Sequence, residues 1–313
     1  MCFIWKKPRL PELTTREIER FFQKSNKFSW VGLTGGEIFL RQDILEISRI
    51  ILKHCKDLCV LHFPTNGFLK EQIIAQVKEM SKLKPARLFA TISVDGPEET
   101  HDRLRGVSGS WRNAVETFLS LREISRVSPY ISMTLSSGNH GLIHQTISAI
   151  KTVYPKFNPS KMMNFNLFQK SSHYFENTGL TSPDESQLLR DVNQAADILG
   201  SEMTFKNYLQ KNYLKYCRSY LKTGHSPLPC QALSVSCLIN PYGEIFPCGV
   251  YDKKIGNIKD PEFNLYDLWN KEKTTDLHHA CRNGDCPGCW SPCDAYQSIN
   301  ASLTKKFLQL FRN

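Results

Sequence analysis

Cysteine is the residue type whose spacing in this 313-residue chain most clearly indicates chemistry. Eight of the eleven cysteines lie between Cys217 and Cys293, and Cys286-Pro287-Gly288-Cys289 places two thiols on one tight turn. Two thiolates on such a turn can hold one edge of a metal site. Cys230 and Cys248 flank a predicted hairpin and can supply the other two ligands. The spacing predicts a four-thiolate site, and the ligands alone leave zinc and a [4Fe–4S] cluster as alternatives.

Composition limits the class of protein that carries these thiols. The chain is 41% hydrophobic and 22% charged, which is typical of a globular protein with a buried core. No run approaches the ~18 apolar residues of a membrane span, and the first residues lack the charge order of a secretory signal. We therefore expect a cytoplasmic protein without a membrane partner, in which cysteines serve metal ligation rather than disulfides.

The net charge of +10 is spread along the chain, with no basic stripe interleaved with aromatic residues. It is typical of a solvated surface and does not favour a nucleic-acid partner.

A repeat of amphipathic helix, short apolar strand and polar loop fills residues 14 to 170. The repeat predicts a parallel sheet whose loops meet at the carboxyl ends of the strands. Helices are expected to begin at Thr14, with Glu17 completing a capping box, at Asp43, and near Glu71, Trp111 and Leu142. The predicted strands are Trp30–Leu33, Val60–Phe63, Leu88–Val94, Tyr130–Leu135 and Met163–Phe168.

The helix expected over residues 15–25 has no strand before it. The fold class is therefore predicted to be α/β, an incomplete parallel (β/α)6-type barrel that lacks its first strand, followed by a small cysteine-rich α+β domain. The predicted divisions are 1–175 for the barrel, 176–225 for two bridging helices and 226–313 for the last domain. Ser182 is expected to cap the first bridging helix, with Pro183 at its first position.

The loop Thr34-Gly35-Gly36-Glu37 and the early Met1-Cys2 resemble the radical S-adenosylmethionine (radical SAM) superfamily. The signature of that superfamily is Cys-x3-Cys-x-aromatic/apolar-Cys, and Met1-Cys2 matches its last two positions. The resemblance implies a [4Fe–4S] cluster at Cys2 that binds S-adenosylmethionine, with Gly35, Gly36 and Glu37 receiving the methionine amino group and Met1 beside the cluster. It also implies that two cluster cysteines are missing, so that the chain as given is expected to be inactive.

Two further loops extend the resemblance. Ser93-Val94-Asp95-Gly96, followed by His101-Asp102-Arg103-Leu104-Arg105-Gly106, is similar to a segment of members that carry a second cluster. By that similarity Ser93 contacts the cofactor, and Asp95 and Arg105 are candidates for the same role. Ser136 is a candidate from its position at the end of a strand.

The C-terminal cysteines resemble the SPASM/twitch extension of that subgroup. The resemblance favours the shorter twitch form, with an auxiliary [4Fe–4S] cluster held by Cys230, Cys248, Cys286 and Cys289. Cys293 is the reserve metal ligand, and Cys237 and Cys281 are interpreted as structural thiols.

One motif is interpreted as a decoy. Cys55-x3-Cys59-x2-His62 imitates the superfamily spacing, but it lies at the amino-terminal end of a strand, where buried or half-buried thiols are expected. Cys217 is likewise interpreted as a packing residue.

The implied reaction is reductive cleavage of S-adenosylmethionine to a 5′-deoxyadenosyl radical that modifies a peptide or small-molecule substrate. An electron donor such as flavodoxin or ferredoxin is the implied partner. His173, Tyr174 and Asn166 are positional candidates for substrate contact. The alternative is a degenerate, non-catalytic protein that binds an iron–sulfur cluster or zinc and recognises a partner.

Overall fold

The fold is known from a computed structural model, which describes residues 2–6, 10–201 and 204–310. Its larger part is a curled five-stranded parallel sheet whose strands lie side by side in chain order. The sheet forms a half-barrel, which confirms the predicted α/β class and the incomplete barrel. Its strands are Trp30–Gly32 (β1), Val60–Thr65 (β2), Leu88–Ser93 (β3), Val127–Leu135 (β4) and Met163–Leu167 (β5).

Helices alternate with these strands, as the hydrophobic periodicity predicted. Thr14 caps the first helix and Glu17 completes the capping box. The helix over Glu98–Arg105 was not predicted, because its sequence EETHDRLR carries almost no apolar side chain to show a periodicity. The helices of this part are Thr15–Lys24 (α1), Ile44–His54 (α2), Lys70–Lys82 (α3), Glu98–Arg105 (α4), Ser110–Arg122 (α5), Ile143–Val153 (α6) and Pro159–Met162 (α7).

The two faces of the half-barrel differ in chemistry. One face carries buried apolar side chains such as Phe63, Ile92 and Phe165, which pack into the hydrophobic core. The other, concave face carries partly exposed polar side chains in register, including Thr91 and Ser93. None of the five described strands contains Asp, Glu, Lys or Arg. The strands therefore contribute no charged side chain to the concave face, which also carries the rings of Phe89 and Tyr130.

Helices Glu185–Leu199 (α8) and Phe205–Thr223 (α9) follow the sheet. The prediction that Ser182 caps α8 is wrong: Asp184 is the cap, and its carboxylate accepts a hydrogen bond from the Gln187 N–H. Helix α9 lies along the free edge of β5, where the Leu167 N–H donates to the Tyr213 hydroxyl at 2.9 Å. Buried polar side chains of α9 thus satisfy backbone groups that an edge strand would leave unpaired.

The remaining residues form a small second sheet with three helices. This sheet is antiparallel, and the turn of its hairpin lies at residues 240–243, as predicted. The domain packs on α1, where Arg20 donates to the Lys259 carbonyl at 2.8 Å. Among the helices that the structure describes, none is long and apolar enough to cross a membrane. The elements are Leu238–Ile239 (β6), Glu244–Phe246 (β7), Gly256–Asn257 (β8), Leu265–Trp269 (α10), Glu272–Asn283 (α11) and Pro292–Leu310 (α12).

Candidate cofactor loops and thiol site

The Gly-Gly-Glu loop follows β1 at the carboxyl edge of the sheet. Gly35 has a φ of 144°, a backbone conformation that favours glycine, and a Cβ at Gly35 or Gly36 would meet no atom within 4 Å. The glycines therefore leave open backbone beside the loop. Glu37 accepts hydrogen bonds from the Thr65 hydroxyl at 2.9 Å and the Asn66 N–H at 2.8 Å. These bonds fix the carboxylate against the next loop, and burial outweighs them and raises the pKa of Glu37.

Ser93 ends β3 with a partly exposed side chain, on the concave face of the sheet. Asp95, two residues later, is fully buried. Its carboxylate accepts hydrogen bonds from Arg105 and from the Thr134 N–H at 2.9 Å. Asp95 therefore holds Arg105, whose charge acts on Glu37 in the loop after β1.

The His-Asp-x-x-Arg-Gly segment fixes loops rather than presenting side chains to solvent. The Nδ1 of buried His101 accepts a hydrogen bond from the Asp95 N–H at 3.0 Å. Desolvation lowers the pKa of His101 to about 4, so the ring is neutral at pH 7. Asp102 accepts bonds from the Gly109 and Trp111 N–H groups and thereby caps α5. Sequence reasoning treated this segment as part of a cofactor motif and did not see this structural role, because the partners lie in other elements.

Ser136 is buried at the end of β4, and its hydroxyl donates to the Asn139 side chain at 3.1 Å. Asn139 in turn donates to the backbone carbonyls of Asp95 and Thr134, at 2.9 Å and 2.8 Å. The hydroxyl thus belongs to the hydrogen bonds that join the loops after β3 and β4.

Cys2 is exposed and lies beside the same edge of the sheet. The N–H of its neighbour Phe3 donates to the Phe175 carbonyl at 2.8 Å, and Cys2 is close enough to affect the Tyr174 hydroxyl electrostatically. Met1, the other predicted cluster-side residue, lies outside the described residues.

The C-terminal domain gathers its cysteines around Cys248. Cys230, Cys248 and Cys281 form one buried cluster, with Cys286 packed against it. The ligand atoms of Cys248, Cys289 and Asp294 also lie within 4.8 Å of one another. The four predicted auxiliary ligands therefore lie in one region of the domain. Cys281, interpreted from sequence as structural, lies among them.

Hydrogen bonds between the thiols and burial shift the pKa values of these cysteines. A hydrogen bond from Cys281 lowers the pKa of Cys286 to about 6, and the same bond raises the pKa of Cys281. A bond with Cys248 and burial raise the pKa of Cys289. Burial raises the pKa of Cys230 to about 12. Protons held by buried thiols must leave when a metal binds, so binding here releases protons.

Asp294 is a residue that sequence reasoning missed. It is buried, it accepts hydrogen bonds from Ser291 at 2.7 Å and from the Cys289 thiol at 3.9 Å, and burial raises its pKa to about 6. Its position next to Cys293 in the sequence is the signal that could have placed it at the thiol site.

Trp290 fixes the cysteine turn to the rest of the molecule. Its indole N–H donates to the Tyr213 carbonyl at 2.9 Å, and the Tyr213 hydroxyl donates to the Trp290 carbonyl at 3.1 Å. The two rings stack at 6.0 Å with an interplanar angle of 4°. Because Tyr213 also binds β5, Cys289 is held at a fixed place relative to the half-barrel.

Cys293, the predicted reserve ligand, is exposed and lies close enough to Tyr174 and Cys248 to interact with them electrostatically. The remaining cysteines lie away from the thiol cluster. Cys237 is half-buried, away from the cluster in a small apolar pocket with Leu268 and Trp269. Cys55 and Cys217 are buried, as expected of packing residues. Cys59, which was expected to be buried or half-buried, is exposed, because it precedes β2 at the amino-terminal edge of the sheet.

The donor set fits an iron–sulfur cluster. Thiolates are soft ligands that select iron–sulfur clusters and zinc, and at least four thiols meet here beside one buried carboxylate. At the sheet edge, by contrast, the described residues include one predicted cluster ligand, Cys2.

Comparison with known proteins matches residues 230–294 to the SPASM family, an iron–sulfur cluster-binding domain. The chain is also similar to AlbA, the antilisterial bacteriocin subtilosin biosynthesis protein of Bacillus subtilis, with 23% identity over 92% of this chain and 63% of AlbA. It thus spans less than two thirds of that relative. The AdoMet-dependent heme synthase of Methanosarcina barkeri is 26% identical over 82% of this chain and 73% of its own length. The heme synthase of Oleidesulfovibrio alaskensis is 23% identical over 84% of this chain and 68% of its own length.

Proposed function

We propose that this chain, which belongs to the radical SAM enzymes with a C-terminal SPASM domain, binds S-adenosylmethionine at the carboxyl edge of its half-barrel and an auxiliary [4Fe–4S] cluster at its thiol site. The gathering of Cys230, Cys248, Cys286 and Cys289 in one region is the observation that carries the proposal. The first cluster, when bound with S-adenosylmethionine, supplies the one-electron cleavage that starts radical chemistry.

The cofactor side is assigned from the loop geometry. Gly35 and Gly36 leave open backbone, and Glu37 holds a carboxylate in a fixed position beside it. Such an acceptor suits the methionine amino group of S-adenosylmethionine. Ser93 presents a partly exposed hydroxyl from β3, while Asp95 acts on the site by holding Arg105.

The concave face supports a peptide as substrate class. Its hydrogen bonds run between neutral groups, with His62 Nε2 3.0 Å from the Thr91 hydroxyl and Asn166 donating to the Ser132 hydroxyl at 2.9 Å. Burial lowers the pKa of His62 to about 4, so this ring is also neutral at pH 7. Strands without charged side chains suit amide groups better than the several carboxylates of a tetrapyrrole, which would need cations. The similarity to a bacteriocin biosynthesis protein agrees with this choice.

Anaerobic reconstitution with iron and sulfide tests the proposal. The 313-residue polypeptide should bind about four iron atoms in a four-thiolate site. Uptake of zinc with no iron would contradict the auxiliary cluster and support the zinc-binding alternative.

The same polypeptide also allows a test of the first site. A cluster that leaves one iron open for S-adenosylmethionine needs three cysteines, and Cys2 supplies one of them. We therefore expect the isolated polypeptide to produce no 5′-deoxyadenosine in the presence of a reductant. Measurable 5′-deoxyadenosine would overturn this expectation and show that other groups complete the site.

A further inference from the structure

The segment that follows β5 contacts both candidate sites. Residues 171–177, here called the connecting segment, are held by their own hydrogen bonds. The Ser171 N–H donates to the Asn177 side chain at 3.0 Å, and the Tyr174 N–H donates to the Ser171 hydroxyl at 2.9 Å. Ser171 and Asn177 are buried. The segment therefore has a defined shape between the half-barrel and the thiol site.

On the side of the thiol site, the connecting segment binds the backbone around Cys248. His173 Nε2 donates to the Cys248 carbonyl at 3.1 Å. The Tyr174 ring packs directly on Gly249, where an added Cβ would lie 3.5 Å from Cδ1 of the ring. The position of Tyr174 is therefore tied to the backbone that carries a proposed cluster ligand.

On the side of the cofactor loop, Tyr174 contacts the Gly-Gly-Glu loop. Its hydroxyl shares a hydrogen bond of 2.5 Å with the hydroxyl of Thr34, the first residue of that loop. Burial raises the pKa of Tyr174, so the phenol keeps its proton at pH 7. Cys293 and Cys2 both act electrostatically on this hydroxyl, which places it between the two halves of the molecule.

We propose that Tyr174 is a positioning residue through which occupation of the thiol site orders the Gly-Gly-Glu loop. The inference rests on the proposed function and goes beyond it, because it makes the cofactor loop dependent on the second site. Metal binding at Cys248 fixes Cys248 and Gly249, the Tyr174 ring on Gly249 is fixed with them, and its hydroxyl restrains Thr34. Thr34 is exposed, so this bond restrains a loop residue that lacks the support of burial.

Hydrogen–deuterium exchange measures this coupling without any need for enzymatic turnover. Amides of residues 33–38 are followed in the full polypeptide before and after anaerobic loading with iron and sulfide. Loading should slow their exchange by about 5- to 150-fold, the usual range of coupling between two sites. Tyr174→Phe keeps the ring on Gly249 but lacks the hydroxyl, so its loop should exchange equally fast with and without iron.

Variants of Thr34, the hydrogen-bond partner of Tyr174, show whether the coupling depends on the hydrogen bond or on the packing of the ring. Thr34→Val should abolish the effect of loading as Tyr174→Phe does, whereas Thr34→Ser keeps the hydroxyl and should retain it. Tyr154→Phe, which removes a tyrosine hydroxyl at the end of α6, should leave the effect unchanged. Unfolding by denaturant, measured for each variant, must show comparable global stability.

The outcomes distinguish the two proposals. If the chain binds about four iron atoms and loop exchange does not change, or if protection persists in Tyr174→Phe, the coupling through Tyr174 is wrong while the auxiliary cluster stands. If the chain binds no iron, the auxiliary cluster is wrong and the inference falls with it.

Discussion

The carboxyl edge of the half-barrel, here called the cofactor edge, and the thiol site differ in the partners of their polar groups. At the cofactor edge the polar side chains already have partners: Glu37 binds the Thr65 loop, Asp95 binds Arg105, and Ser136 binds Asn139. At the thiol site several cysteines lie against one another, and backbone N–H groups donate to the sulfurs of Cys230 and Cys248.

This difference separates two kinds of binding site. The cofactor edge is preorganised by hydrogen bonds and presents open glycine backbone to a ligand. At the thiol site, burial favours the protonated form of most sulfurs, and the metal that we propose there would replace those protons. Loss of a thiol should therefore abolish metal binding, whereas loss of an edge residue should reduce stability first.

The largest effect is expected for Cys248→Ser. Cys248 belongs to both the buried cysteine cluster and the Cys289–Asp294 group, so no alternative pairing of the thiols avoids it. Iron bound after reconstitution should fall from about four atoms per chain to less than about one. Cys59→Ser, at the opposite edge of the sheet, should bind as much iron as the parent chain. Equal loss of iron in both variants would contradict the assignment.

Trp290→Ala tests whether the thiol site depends on its anchor. The variant removes a buried indole and its hydrogen bond to Tyr213, and it should lower the free energy of unfolding by about 3–5 kcal/mol. Trp5→Ala, which removes an exposed tryptophan, should change it by less than about 0.5 kcal/mol. Denaturant unfolding of the metal-free proteins measures both. A Trp290→Ala variant as stable as the parent would show that the turn is held by other contacts.

At the cofactor edge, His101 should make stability depend on pH. Its pKa is about 4 in the folded chain against 6.5 for an unperturbed histidine, because burial disfavours the charged ring. The contribution of the neutral ring to the free energy of unfolding is therefore complete above pH 6.5 and is lost as pH falls toward 4.

His101→Asn can keep an acceptor for the Asp95 N–H but cannot be protonated. Relative to this variant, the parent chain should lose about 3 kcal/mol of unfolding free energy between pH 7 and pH 4. Denaturant unfolding at several pH values gives the difference. A difference that stays constant with pH would show that His101 is not held neutral by the fold.

Ser136→Ala should have the smallest effect. The hydroxyl donates one buried hydrogen bond to Asn139, so its loss should cost about 0.5–1.5 kcal/mol of unfolding free energy. Ser137→Ala, one residue further along the same turn, is the matched control. A cost of zero at Ser136 would show that its hydroxyl does not support the loop, which would favour the direct cofactor contact that its position suggested.

Residue type and local spacing made much of the fold predictable. Strand β3, the capping box at Thr14 and the hairpin turn at 240–243 depend on neighbours within a few residues, and the sequence pattern shows such neighbours. Cys286 and Cys289 were recognisable for the same reason. The predicted divisions at 175 and 225 stay predictions.

Most of the features that escaped prediction depend on partners far along the chain. Tyr174 contacts Thr34 across 140 residues of sequence. His101 is an exception, because its partner Asp95 is only six residues away, but their contact depends on how the chain turns after β3. Asp294 is buried among cysteines that come from three separate segments. A pattern within one segment cannot show such partners, so these roles needed the folded chain.

Mössbauer spectroscopy of the polypeptide reconstituted with 57Fe tests the central claim most directly. We predict a single [4Fe–4S] cluster whose iron sites are all ligated by the protein, so that adding S-adenosylmethionine leaves the spectrum unchanged. Retention of zinc alone would contradict the claim that the thiol site holds an auxiliary iron–sulfur cluster.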